Sequence, residues 1–462
     1  MKSIYKKLLV LLILAVPFSC DDGFEEINTD DVRPGSVDPL FQLNFALESS
    51  SPARENVDYE YAIVRQVHSP FRGVLEGANS NTTNRESTGR NWDVYYPNVI
   101  KNLVDAEINL QSDEGAVKVN ALSAVRIIKA YCFMVLTDSY GYIPYNEAGR
   151  GFVDQIEFPA YDSQQAVYDE IISEIEQATA AFNESGDDIS AEALFQGDSA
   201  KWRRFGNSLL LRLGMRLSKV DPARAQALIG AINQAELMQS NLDNAAVPHD
   251  AAYANPVGDN FNSLESANYY LDKVFVEHLQ AENDPRLEKI AVRYVGATNG
   301  GEQTSDRETN DPAQQYGLDQ GFDQGGVDAY IADNGLPLVG LYDFSQVNRN
   351  TVGSQQAPAY LVTYAQTMLL LAEARFRGWA IGDAAEAYEA GIRGHMRQFS
   401  QYPNSTAVDE ADIDAYIAAH QLAGGSEMGQ INTEYWIASF ITGYDGWANF
   451  RRTDLPAIEP NA

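Results

Sequence analysis

Cysteine is nearly absent from this chain: Cys20 and Cys132 are the only two among 462 residues. They lie too far apart for a C-x-x-C pair, and the five histidines include no H-E-x-x-H zinc motif. The sequence also lacks the G-x-S-x-G turn of many hydrolases and the P-loop of nucleotide-binding enzymes. We therefore expect no disulfide, no metal and no cofactor, and we interpret the chain as a binding protein and not an enzyme.

Basic residues are also scarce. The sequence has 33 Lys and Arg against 65 Asp and Glu, a formal net charge of −32. Phosphate backbones and anionic lipid surfaces both require clustered positive charge, so this balance argues against binding to either. With 45% hydrophobic and 11% aromatic residues, the chain has enough apolar material for a folded core.

Residues 1–19 are typical of a signal peptide. Three lysines precede Leu8–Phe18, an apolar run too short to span a bilayer as a helix. Because the run ends at the small Ser19 and at Cys20, we predict a lipoprotein signal with lipidation at Cys20, although Pro17 is unusual at its position. An ordinary signal peptide that ends near a cysteine is the alternative.

Apolar residues recur at spacings of three and four through most of the remaining chain, which predicts amphipathic helices. One such stripe runs from Ala121 to Val135 and includes Cys132, which we expect to be an inert core thiol. Another runs from Leu361 to Trp379, and a further helix follows across Gly382. Two antiparallel helices joined by a short turn are the unit of tetratricopeptide (TPR) repeats. The predicted fold class is therefore mainly all-α, with TPR-like helical pairs at about 97–230 and 358–450.

Long polar stretches at about 71–96 and 240–357 lack this periodicity and are predicted to be irregular loops. Aromatic rings cover the apolar face of a sugar, while amides and guanidinium groups hydrogen-bond its hydroxyls. The candidate ligand residues in or beside these loops are Asn81, Arg85, Trp92, Tyr95, Tyr316, Tyr330 and Tyr342. The alternative for Trp92 is that it faces the core from the first turn of a helix.

Several arginines lie on predicted helices, among them Arg212, Arg216 and Arg452. Such arginines commonly pair with buried carboxylates, here for example Glu373, or cap backbone carbonyls. The alternative is that these arginines form an anion-binding site. Likewise, the tyrosine-rich segment from Asp138 to Tyr145 is interpreted as a packed helix end, with a ligand site as the alternative.

Six motifs together resemble the SusD/RagB family of nutrient-binding lipoproteins. They are L-T-D-x-Y-G-x-I-P-Y-x-E-A from Leu136, Y-D-x-x-Q-x-x-Y from Tyr161, W-x-x-F-x-N-S-L-x-x-R-L-x-x-R from Trp202, T-Y-A-Q-T through L-A-E-A and R-G-W from Thr363, G-I-R from Gly391, and W-x-x-F-R-R-T-x-x-P from Trp447. The acidic residues after Cys20 resemble the surface-export signal of Bacteroidetes lipoproteins.

The resemblance implies a single SusD-like domain over residues 20–462, anchored by lipid to the outer membrane and facing the cell surface. It implies a protein that binds a glycan, as an oligosaccharide, and delivers it to a SusC-like TonB-dependent transporter. A RagB-type oligopeptide receptor is the first alternative, and a TPR adaptor without a small ligand is the second.

Overall fold

The computed structural model describes residues 37–71, 85–112, 118–262, 266–442 and 444–457. The predicted lipidation site Cys20 and the predicted ligand residue Asn81 lie outside these ranges. The α-helices in chain order are α1 Pro39–Ser49, α2 Arg54–Asn56, α3 Arg85–Thr88, α4 Arg90–Val94, α5 Lys101–Ser112, α6 Val119–Tyr140, α7 Gln164–Ala181, α8 Ser199–Arg216, α9 Pro222–Ala231, α10 Pro256–Asn262, α11 Lys273–Ala281, α12 Leu287–Ile290, α13 Val327–Asp333, α14 Tyr364–Phe376, α15 Ala384–Gln398, α16 Glu410–Ala419, α17 Glu427–Ala438 and α18 Tyr444–Thr453.

Shorter elements join these helices. Two π-helical turns, Val57–Tyr61 and Tyr95–Ile100, continue α2 and α4. The 3-10 turns are Gln234–Glu236, Asn241–Asp243, Gly300–Glu302, Ser305–Arg307, Pro312–Gln314, Leu341–Asp343 and Phe399–Gln401. The strands in the described residues are β1 Val67–His68, β2 Ala245–Val247, β3 Tyr270–Leu271, β4 Ala291–Tyr294, β5 Glu308–Thr309, β6 Gln346–Val347 and β7 Ala359–Val362. They form the antiparallel pairs β1–β3 and β2–β7 and the three-stranded order β5–β4–β6. The prediction of a mainly helical fold is confirmed.

The first half of the helical scaffold is built around α6. Helix α6 packs against α5 and α7, and α7 packs in turn against α8. The predicted stripe is buried, including Cys132, and burial raises the pKa of that thiol well above its usual range. By length and composition α6 could cross a membrane, but most of it is enclosed by the fold, as expected for a core helix.

The second half is built on the pair α14 and α15, with α17 against α14. Thr363 caps α14: its hydroxyl accepts the Gln366 N–H at 3.1 Å, and the Gln366 side chain accepts the Thr363 N–H at 3.2 Å. The carboxylate of Asp383 accepts the Ala385 N–H and caps α15. The predicted stripe from Leu361 to Trp379 was too long, because Leu361 belongs to strand β7 and Trp379 follows α14, half-buried.

The helix arginines are held by carboxylates, as the sequence predicts. Arg212 is fully buried and donates to Asp445 at 2.9 Å. Arg452, near the end of α18, donates to both oxygens of Glu373 on α14, each at 2.6 Å. Burial opposes ionisation of Glu373, but its arginine partners hold the pKa of this carboxyl below the usual value. These pairs connect the last helix to the centre of the scaffold.

The polar stretch at about 240–357 is more ordered than predicted. It contains β2 to β6, four short helices and several 3-10 turns. Some of its apolar residues, such as Phe275 and Ile290, join one of the two large helical clusters, and others form a small separate core. The buried members of this loop core are Tyr270, Leu318, Val327, Tyr330, Ile331, Leu338, Leu341 and Phe344.

Candidate functional site

An open cavity of about 420 Å³ lies where the end of α6 meets α3, α4 and the start of α18. We call it the aromatic cavity. Its lining residues are Tyr59, Glu60, Arg85, Thr88, Gly89, Trp92, Asp93, Ser139, Tyr140, Tyr161 and Trp447. Five of these eleven side chains are aromatic, which is unusual for a chain with 11% aromatic residues.

Trp92 is the central ring among the aromatic residues of the cavity. Its ring lies 5.8 Å from that of Tyr161, with 22° between the planes, so that the two rings stack. Tyr96 and Tyr140 contact the Trp92 ring at 4.7 and 5.5 Å between centroids. Tyr161 is nevertheless 62% exposed. The stack therefore presents the Tyr161 ring to solvent, while the Trp92 ring behind it is contacted by Tyr96 and Tyr140.

Hydrogen bonds fix the orientation of the rings around Trp92. The hydroxyl of Tyr140 donates to the Thr88 carbonyl at 2.8 Å and accepts the Trp92 backbone N–H at 3.1 Å. The Tyr96 hydroxyl donates to the Pro144 carbonyl at 2.8 Å. Short helices on one side of the cavity are thus tied to the end of α6, and the Trp92 ring is preorganised.

Glu60 forms the polar floor of the cavity. Asn56 and Asn91 donate to its two carboxylate oxygens at 3.3 and 3.2 Å, and all three side chains are buried. Burial raises the pKa of Glu60 to about 7, against the opposing effect of these hydrogen bonds. Glu60 therefore changes charge in the neutral pH range, where it can act as hydrogen-bond donor or acceptor.

Arg85 supplies a cation at the rim. It is exposed, and within the part of the chain that the structure describes it forms no ion pair. The guanidinium of Arg451, which does not line this cavity, lies 5.6 Å from the ring centroid of Trp447. A polar ligand that contacts the rings therefore has the exposed guanidinium group of Arg85 beside it.

The structure brings together two of the predicted ligand residues, Arg85 and Trp92. Tyr95 is not among them, and this prediction is corrected: it is 2% exposed, and its hydroxyl lies 2.7 Å from that of Tyr444 and donates to the Ser50 carbonyl. Trp92 and Tyr95 are three residues apart in one helical segment, but Trp92 lines the cavity whereas Tyr95 is buried in the core.

The three loop tyrosines lie elsewhere, in or beside the loop core. Tyr330 is 8% exposed and packs on Phe322 at 4.5 Å between ring centroids, so its predicted ligand contact is also corrected. Tyr316 and Tyr342 are half-buried against the same cluster, and Arg293 covers the Tyr316 ring at 4.9 Å. The loops bury these rings because distant parts of the stretch supply apolar partners.

Sequence reasoning missed Tyr161, Trp447 and Glu60. Tyr161 and Trp447 each begin a motif that served only for the family resemblance, so the available signal was the aromatic residue at the start of each motif. Glu60 had no signal, since one carboxylate among 65 acidic residues is uninformative.

Two further cavities are weaker candidates. One, of about 420 Å³, is lined by five cations, Arg216, Lys219, Arg224, Arg451 and Arg452. Carboxylates already pair with four of them, as in Arg216 with Asp138 and Asp445. The other, of about 480 Å³, is lined mostly by asparagine, serine and threonine residues, with Glu288, Lys289, Val292 and Glu308 and without any aromatic ring. No cluster of His, Cys, Asp and Glu suited to a metal occurs among the described residues.

Comparisons with known proteins agree with this architecture. A family model, SusD-like_2, described as starch-binding and associating with the outer membrane, matches residues 40–462. No curated protein matches the chain. A solved structure named as a chitin-binding protein has a TM-score of 0.78 and 28% identity, over 92% of this chain and 88% of that one.

Two other solved structures are similar. A Bacteroidetes SusD-like protein, AC2a, has a TM-score of 0.77 and 27% identity, over 92% of this chain and 90% of that chain. A SusD homologue from Bacteroides fragilis has a TM-score of 0.71 and 23% identity, over 92% and 89% of the two chains, which supports the fold alone. The predicted SusD-like, TPR-like helical fold class is confirmed.

Proposed function

The chain belongs to the SusD-like family, starch-binding proteins that associate with the outer membrane, and from this we propose that it binds an oligosaccharide in the aromatic cavity. The proposed role is capture of the nutrient at the cell surface and delivery to a SusC-like TonB-dependent transporter. It is a binding function and involves no bond breaking. Lipidation at Cys20 is proposed to hold the protein at the outer membrane.

The stack of Trp92 and Tyr161 carries this proposal. A pyranose ring has an apolar C–H face, and a flat aromatic ring covers such a face better than an aliphatic side chain does. Tyr161 offers an exposed ring, and Trp92 behind it is held by contacts and hydrogen bonds. A preorganised ring loses little entropy on binding, so contact with it contributes efficiently to affinity.

The polar rim suits the hydroxyl groups of the same ligand. Arg85 can donate to sugar oxygens, and Glu60 and Ser139 lie on the cavity wall near the rings. Hydrogen bonds to charged groups contribute roughly 1.5–3 kcal/mol each, so a few of them can fix the orientation of a sugar. Stacking with hydrogen bonds of this kind favours a neutral glycan over a strongly charged one.

Two neutral glycans are the first candidates. One relative with 28% identity is named a chitin-binding protein, and the family description names starch. Oligomers of N-acetylglucosamine and of maltose therefore form the primary test panel. An oligopeptide panel tests the RagB-type alternative in the same assay, because aromatic rings and a guanidinium group can also hold a peptide.

The experiment is isothermal titration calorimetry with the mature chain and the Trp92→Ala variant. We expect the parent to bind one glycan series and Trp92→Ala to lose about tenfold or more in affinity, since an aromatic contact contributes roughly 0.5–1.5 kcal/mol beyond the area it buries. Phe376→Ala, which removes an exposed aromatic ring that does not line the cavity, is the matched control. Equal affinity of Trp92→Ala and the parent would contradict the assignment of the site to the aromatic cavity. Binding of peptides alone would contradict the proposal that the ligand is a glycan.

A further inference from the structure

The loop that leads into Tyr161 carries two aromatic rings that are almost fully exposed. Phe152 and Phe158 are 96% and 91% exposed, and Val153 is also exposed. Full burial of a phenylalanine side chain is worth roughly 1.5–3 kcal/mol, so an exposed one gains nothing from the fold. Single exposed apolar residues are ordinary, but several in one short loop indicate a surface that contacts a partner.

This loop is braced and not loosely attached. Its base is closed by Ile143 and Asp162, which exchange backbone hydrogen bonds at 3.2 and 2.8 Å. The carboxylate of Glu147 accepts the Ala160 N–H at 2.7 Å, directly between Phe158 and Tyr161. The segment that directly follows Phe158 is therefore held in place by two sets of contacts.

Phe158 is close to the aromatic cavity. Three residues span at most about 11 Å of extended chain, so the Cα atom of Phe158 lies within that distance of the Cα atom of Tyr161, whose ring stacks on Trp92. Pro159, between them, fixes its own φ and limits the freedom of the segment. The exposed Phe158 ring is thus a neighbour of the cavity but does not line it.

We propose that Phe158 is a second aromatic subsite, outside the cavity, for the part of an oligosaccharide that extends beyond Trp92 and Tyr161. This inference rests on the proposed glycan-binding function and adds to it a preference for long chains. A short oligosaccharide occupies the cavity alone. A longer one also covers the Phe158 ring, which explains why a braced loop keeps this ring exposed beside a binding cavity.

The test compares oligosaccharides of three and six units, first of N-acetylglucosamine and then of maltose, by calorimetry. The parent is expected to bind the hexamer more tightly than the trimer. Phe158→Ala should lose roughly 3–10-fold in affinity for the hexamer, corresponding to the loss of one aromatic contact, and should bind the trimer like the parent. Phe158→Trp should keep the preference for the hexamer, whereas Phe158→Leu should lose it, because the contact requires a flat ring.

The outcomes separate this inference from the proposed function. If Trp92→Ala weakens both oligomers while Phe158→Ala binds both like the parent, the second subsite is wrong and the cavity stands. If Phe158→Ala weakens both lengths equally, Phe158 belongs to the primary site and the length preference is wrong. If the parent binds neither series, both proposals are wrong. Because Phe158 is almost fully exposed, its variants should fold like the parent, and thermal unfolding checks this.

Discussion

Arg452 and Glu373 form a bidentate ion pair that joins α18 to α14 inside the scaffold, with both side chains buried. Arg377 also pairs with Glu373, at 2.7 Å. Removal of one partner of a buried pair leaves an uncompensated charge in a region that excludes water. The last helix thus depends on a charge interaction as well as on apolar packing.

The first prediction concerns this pair. Arg452→Ala should lower the free energy of unfolding by about 3–5 kcal/mol, because Glu373 stays buried with one cation fewer. The control is Arg397→Ala, which removes an exposed pair with Glu410 and should cost less than about 1 kcal/mol. Urea unfolding of the two variants measures the difference, and equal losses would contradict the importance of burial.

The second prediction concerns Glu60, whose pKa burial raises to about 7 from an ordinary 4.5. The folded state binds this proton more tightly than the unfolded chain, so the contribution of Glu60 to stability falls as pH rises from about 4.5 to about 7 and then stays constant. The accumulated loss is about 3 kcal/mol.

Glu60→Gln removes this titration and keeps an oxygen that can accept a hydrogen bond. The variant should therefore be more stable than the parent at pH 8 and about equal to it at pH 4.5. Denaturant unfolding at both pH values tests this, with the exposed Glu184→Gln as control. An unchanged pH dependence of stability in Glu60→Gln would show that Glu60 is not the titrating group.

The third prediction separates the loop core from the ligand site. Tyr330→Ala should destabilise the protein by about 3 kcal/mol, as expected for removal of a buried aromatic ring, and should leave glycan affinity unchanged. Tyr253→Ala, which removes an exposed loop tyrosine, should change neither. A loss of glycan affinity in Tyr330→Ala without a loss of stability would restore the original expectation that Tyr330 contacts ligand.

The fourth prediction concerns the proposed anchor. Cells that express the parent should incorporate labelled palmitate into the protein, and the Cys20→Ala variant should not, because Cys20 supplies the acylated thiol. Cys132→Ala is the control, since that thiol is enclosed by the core. Equal labelling of the parent and Cys20→Ala would contradict lipidation at Cys20.

The scaffold could be predicted from sequence because a buried helix face requires apolar residues at spacings of three and four. Ala124, Ile128 and Cys132 follow that repeat and are all buried. Leu361 shows its limit: an apolar residue just before a helix has no periodicity that distinguishes a strand from one more helical turn. Similarly, the position of Trp379 beyond α14 depends on a turn and not on a stripe.

The lining of the candidate site was predicted only in part, because a site depends on distances between segments that periodicity does not encode. Arg85 and Trp92, which line the cavity, were named from a local signal, rings and cations beside a polar loop. The stack of Trp92 on Tyr161 joins two segments that are distant in sequence and could not be seen in either one. The burial of Tyr330 had the same cause: its partners come from other parts of a stretch that lacks local order.

Helix α18 connects the candidate site to the scaffold, since Trp447 near its start lines the aromatic cavity and Arg452 near its end is paired with Glu373. Under the proposed function, occupancy of the cavity and attachment of α18 are thermodynamically linked. A ligand at one hundred times its dissociation constant stabilises the folded state by about 2.7 kcal/mol if it binds only that state. The melting temperature thus becomes a reporter of occupancy, and a glycan collection can be screened by heat denaturation before any ligand is known.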